Sequence, residues 1–125
     1  MPRPEAAEGA VGWARYRAWL LPALLPECAT EAELLEDILG GRAQLWTGEA
    51  AAMVTQRVCE DGVHRLHIWL AGGDLRDLLA MRPGIEAWAR GQGCRHITID
   101  GRAGWTRLLR RLGYTTIGHQ LQRTL

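Results

Sequence analysis

Apolar positions in this chain recur first at helical and then at strand spacing. Trp13, Tyr16, Leu20 and Leu24 stand at i, i+3, i+7 and i+11, one stripe of a helix from about Val11 to Leu25. Pro22 falls near its end, where a missing N–H kinks or stops a helix. Thr30 followed by Glu33 has capping-box spacing and predicts a short acidic helix through Leu39, stopped by Gly40-Gly41. Gln44 to Thr47 reads as a brief strand. Ala51 to Glu60 and Val63 to Leu70 form a hairpin about Asp61-Gly62, and Gly72-Gly73 breaks its second strand. A helix from about Leu75 to Gly91 follows, with Pro83 interrupting it or dividing it in two. His96 to Asp100 is a strand with Ile97 and Ile99 on one face, Gly104 to Leu112 a helix ended by Gly113, and Thr115 to Thr124 a last strand.

The order α-α-β-β-β-α-β-α-β predicts an α/β fold, a mixed sheet flanked by helices. A length of 125 residues fits one domain, 1–125, with two N-terminal helices over 11–39 and the sheet and remaining helices over 42–125. A hydrophobic content of 47% with a mean hydropathy of -0.15 fits a water-soluble domain. The apolar run Ala18 to Pro26 is too short to span a bilayer and holds two prolines. The opening MPRPEAAEG lacks the apolar core of a secretion signal, so a cytoplasmic location is expected.

Charge and chemistry narrow the picture further. A net charge of +1 supplies no global field for nucleic acid or acidic lipid. All 15 basic residues are Arg, and Lys, Asn, Phe and Ser are absent, a composition that suggests a GC-rich genome. Six Trp and two Tyr then supply the aromatic mass of the core. Without Ser there is no serine nucleophile. Cys28, Cys59 and Cys94 are widely spaced with no metal-ligand spacing, and Cys94, at a helix-to-strand junction, reads as a small buried residue rather than a nucleophile. His64 and His67 fall on opposite faces of their strand, His67 sharing a face with Trp69, and Glu60 sits near the hairpin turn. No His, Asp and Glu set has metal geometry, and no catalytic residue is assigned.

Glu86, Ala89, Gly93, Ile97 and Ile99 fit the pattern E-x-x-A-x-x-x-G-x-x-x-L-x-L, and Gly113-Tyr114 supplies a terminal Gly-aromatic pair. On these residues the stretch Leu45 to Leu125 resembles the GNAT superfamily of N-acetyltransferases. The resemblance implies a CoA pyrophosphate held by backbone N–H groups at a helix N-terminus, in a glycine loop that falls on Gly73 to Leu78. Asp74, Arg76 and Leu78 occupy its glycine positions, and Asp74 would cap the helix while repelling phosphate. The family's last-helix pattern N-x-x-A-x-x-L-Y-x-x-x-G-F puts Arg102 for the cofactor-contacting Asn, Trp105 for Ala, and Leu109 for the general-acid Tyr. A leucine cannot protonate a departing thiolate.

The resemblance therefore implies a scaffold that has lost ordinary acetyl-CoA catalysis, with no cofactor expected. The work implied is that of a binding or assembly module with a protein partner or a second copy. Gly101 to Trp105 also resembles small GNAT-like proteins that tailed phages encode among virion and packaging genes, which extends the expected location to a phage-like particle. The alternative is an N-acyltransferase with an atypical acetyl-CoA site at Leu70, Gly72, Gly73, Arg76, Arg102 and Trp105. A third reading is a nucleic-acid contact through Arg107, Arg110 and Arg111, which cluster on one side of the last helix.

Overall fold

The computed structural model describes residues 12–100, 103–118 and 120–125, with the backbone alone for 103–105. Helix α1 spans Trp13–Leu20 and tightens into a 3-10 turn over Leu21–Ala23. It is shorter than its apolar stripe because Pro22 cannot donate to the α ladder but fits the start of a 3-10 turn. Helix α2, Glu31–Leu39, begins with the expected capping box: Thr30 Oγ1 accepts from Glu33 N, and the Glu33 carboxylate accepts from Thr30 N. The Glu31 carboxylate, in turn, takes two donors from Arg17 and the indole N–H of Trp13, tying α2 to α1.

Strands β1 (Ala43–Thr47), β2 (Ala51–Glu60) and β3 (Val63–Gly73) form an antiparallel meander. Asp61 and Gly62, both at positive φ, make its tight turn. Helix α3, Leu75–Gly91, returns the chain to β4, His96–Asp100, which pairs parallel to β3. Helix α4, Ala103–Arg111, leads through Gly113 (φ 94) into β5 (Thr115–Ile117) and β6 (Gln120–Thr124). The sheet order is β1-β2-β3-β4-β6-β5, a six-stranded mixed sheet in a single domain.

Three expectations are corrected. Gly72-Gly73 do not break β3, which pairs with Ala52 and Ala51 through both glycines. Pro83 does not interrupt α3: the proline faces water, while Leu78, Ile85, Glu86 and Ala89 bury the opposite face on both sides of it. The last segment is a hairpin of two strands, because Gly118 adopts positive φ (60) and lets the chain reverse.

Two apolar clusters lie on opposite faces of the sheet. Trp13, Leu20, Leu34 and Ile38 pack with Leu45, Val54 and Leu70, joining α1 and α2 to β1, β2 and β3. Leu78, Ile85, Ala89 and Leu109 pack with Met53, Leu66, Ile68, Ile97 and Ile99, seating α3 and α4 on the other face. Each fully buried leucine among them contributes about 1.5–3 kcal/mol. A β-bulge at Trp69 connects the two. Thr55 pairs with Ile68 and Val54 with Leu70, so β3 carries one extra residue. Before the bulge Leu66 and Ile68 face α3; after it Leu70 faces α1.

Candidate functional site

The β3–α3 junction is where the acyl-CoA reading puts its cofactor, and local chemistry already fills it. Asp74 N-caps α3, its Oδ1 accepting from Arg76 N at 2.8 Å and Asp77 N at 3.3 Å. Asp77 Oδ2 accepts from Ala50 N at 2.7 Å, and Asp74 N donates to Ala50 O at 2.8 Å. The loop between β1 and β2 is thus clipped onto the helix start. Two carboxylates meet the positive end of the α3 dipole, the position a pyrophosphate would otherwise favour.

The glycines have a packing role there. A Cβ on Gly72 would collide with the Trp19 carbonyl oxygen of α1. Gly73 sits at φ 103 with the Ala50 carbonyl against its open side. Leu70 and Leu78, at the two ends of the junction, are buried in the opposite clusters. Of the six cofactor candidates, Leu70, Gly72 and Gly73 therefore serve packing, and Arg76 is exposed in the first turn of α3. Arg102 and the Trp105 side chain lie outside the described residues, although the Trp105 backbone belongs to α4.

Leu109, where the resemblance would put a general acid, is buried beside Tyr114. Both line a small apolar cavity with Ile68, Leu78 and Ile99, of about 20 Å³. That is room for one water and far below the 300–1,000 Å³ typical of ligand pockets.

Two polar networks flank this core. Glu86, 2% exposed, accepts from Arg82 Nη1 at 2.7 Å and from Tyr114 Oη at 3.2 Å, and it forms an ion pair with Arg123 Nη1 at 3.2 Å. Burial, followed by the Glu86 charge and hydrogen bond, pushes the Tyr114 phenol far above its ordinary range, so it stays a donor. The residue packs, as its Gly-aromatic position implied. Glu86 was legible as a pattern residue. Arg82, one helical turn earlier, was a readable i, i+4 partner, whereas Arg123 comes from a distant strand.

On the other face of the sheet, Arg65 Nη1 donates to Thr98 Oγ1 at 2.7 Å, and His67 Nδ1 lies 2.8 Å from the same hydroxyl. Asp100 Oδ1 is 4.0 Å from His67 Nε2. The Thr98 hydroxyl accepts from Arg65 and can either donate to His67 Nδ1 or accept from it, the direction following the imidazole tautomer. Burial lowers the His67 pKa, and Asp100 opposes the shift. Acid, imidazole and hydroxyl stand in triad order, yet Thr98 is 2% exposed and its oxygen is held by Arg65. It cannot reach a substrate. His64 is exposed on the opposite face, as its spacing predicts.

Cys94 is buried, and desolvation raises its thiol pKa, which suits packing rather than attack. Among the described residues no group of three His, Cys, Asp or Glu has metal geometry, and no helix is long and apolar enough to cross a membrane. Arg107, Arg110 and Arg111 are exposed on α4, with Arg110 donating to Thr116 Oγ1. No family model matches the chain, and no curated protein matches it either.

Proposed function

We propose that this chain is a GNAT-like scaffold working as a binding or assembly module, without ordinary acetyl-CoA-dependent transfer. The mixed sheet with its parallel β3–β4 pair supports the scaffold part of the reading. One observation carries the functional part: the N-terminus of α3 is already capped by Asp74, with Asp77 beside it. A pyrophosphate would have to displace the first carboxylate and tolerate the charge of both. The buried Leu109 and the small cavity next to it support the same reading. The partner is a protein or a second copy of the chain, and the resemblance of Gly101 to Trp105 suggests a phage or phage-derived particle as the setting.

Calorimetry with acetyl-CoA tests it. We expect no saturable heat. Stoichiometric binding that weakens in Arg76→Ala or Arg102→Ala would overturn the proposal. It would favour an acyltransferase that grips phosphate by side chains, a reading supported by the exposed Arg76 guanidinium, for which no partner is found among the described residues.

A further inference from the structure

The end of the sheet opposite the β3–α3 junction carries an open groove of about 540 Å³. The 17 residues of α3 separate the two places by roughly 25 Å. The groove lies between the Gly40-Gly41 turn, the paired ends of β2 and β3, and the C-terminal end of α3. Its volume falls within the range of small-molecule sites. Arg42, Arg57 and His64 line it, together with Cys59, Gln92 and Cys94, and no Asp or Glu is among the lining residues.

The two arginines differ in what already occupies them. Arg42 donates from Nε to Asp37 and from Nη2 to the Glu36 carbonyl, so it closes the end of α2. Arg57 donates from Nη1 to the neutral Gln92 Oε1 and has no carboxylate partner among the described residues. Burial raises the thiol pKa of Cys94, which also lines the groove, and the Arg57 charge acts against that rise. Cys59 pairs across the hairpin with His64, so the imidazole stands on the same face of the sheet as Arg57, two residues from Cys59.

We infer that this groove is a binding site for a small oxyanion, a phosphate or carboxylate compound, with Arg57 as its principal anchor and Arg42 and His64 at its sides. A guanidinium presents paired donors that match either group, and one without a carboxylate counter-ion at the wall of a concave site gives the anion both charge and orientation.

Titration of the full chain at low ionic strength with inorganic pyrophosphate, and separately with citrate, tests the site by arginine side-chain NMR. Saturable one-to-one binding of at least one probe is expected, with Arg57 resonances moving. The tighter probe identifies phosphate or carboxylate as the preferred group. Arg57→Gln should weaken binding at least tenfold, and Cys59→Trp, at an exposed position, should block the groove without touching the core. Arg107→Gln on α4 removes the same charge elsewhere and should leave binding unchanged. Absence of saturable binding by both probes, equal losses in Arg57→Gln and Arg107→Gln, or full binding in Cys59→Trp would each overturn the assignment.

Discussion

At Glu86 one carboxylate holds partners from three parts of the chain: Arg82 in α3 and Tyr114 after α4 by hydrogen bonds, and Arg123 in β6 by an ion pair. Glu86→Gln keeps the shape and removes the charge, leaving Arg82 and Arg123 without their counter-ion. Both arginine side chains keep some contact with water, 20% and 29% exposed, which moderates the loss. We expect about 2–3 kcal/mol of destabilisation, toward the lower end for breaking a buried pair. It should be read as a lower urea midpoint at unchanged slope. A midpoint equal to that of the parent chain would show that the carboxylate organises nothing. The sequence pattern marked Glu86 as a packing residue, and a buried glutamate always needs donors. What the pattern lacked was the partner in β6, because contacts between distant segments leave no local spacing.

Among the elements, α1 and β3 meet without room for a side chain where Gly72 faces the Trp19 carbonyl. Gly72→Ala should destabilise the chain by about 1–3 kcal/mol, the cost of forcing a side chain into a filled space. The Trp19 carbonyl must withdraw to admit the methyl, so near-UV circular dichroism should change along with the melting curve. An unchanged melting temperature would mean that α1 is loosely seated. The element boundaries that sequence reading recovered are those set by local chemistry: the Thr30 capping box, the Asp61-Gly62 turn and the Gly113 stop. The ones it missed are set by tertiary packing. Gly72-Gly73 read as a break because two glycines usually end a strand, while here α1 requires Gly72 and the chain at Ala50-Ala51 requires Gly73 within one. Pro83 read as an interruption because the water-facing side of α3 was not known. In sequence, a glycine needed for close backbone packing and one needed by a phosphate look alike.

For the whole molecule, two groups set the pH limits from opposite ends. Hydrogen bonds from Arg17 and then from Trp13 hold the Glu31 carboxyl down from 4.5 to about 2. Its stabilising effect on the α1–α2 pair is present above the ordinary carboxylate range and is lost as pH falls toward 2. Tyr114 works in reverse. Its raised pKa keeps its contribution whole below pH 10 and lets it decline above that, as the unfolded chain releases a proton the folded chain retains. Stability measured against pH should therefore fall at both extremes, with Glu31→Gln flattening the acid limb and Tyr114→Phe the alkaline one. A limb left unchanged by its variant would remove that group from the account. The fold class was legible because periodicity reports which residues are inside, whereas the Trp69 bulge was not, since one inserted residue is indistinguishable from an imperfect alternation. That bulge makes β3 a strand of two parities. Upstream of it, changes to inward side chains answer to α3; downstream, to α1. Loss of the extra residue itself would leave Ile68 and Leu70 on their own faces, whereas a deletion elsewhere in the strand would turn its outer residues to the wrong one, so this strand can shorten in register only at the bulge.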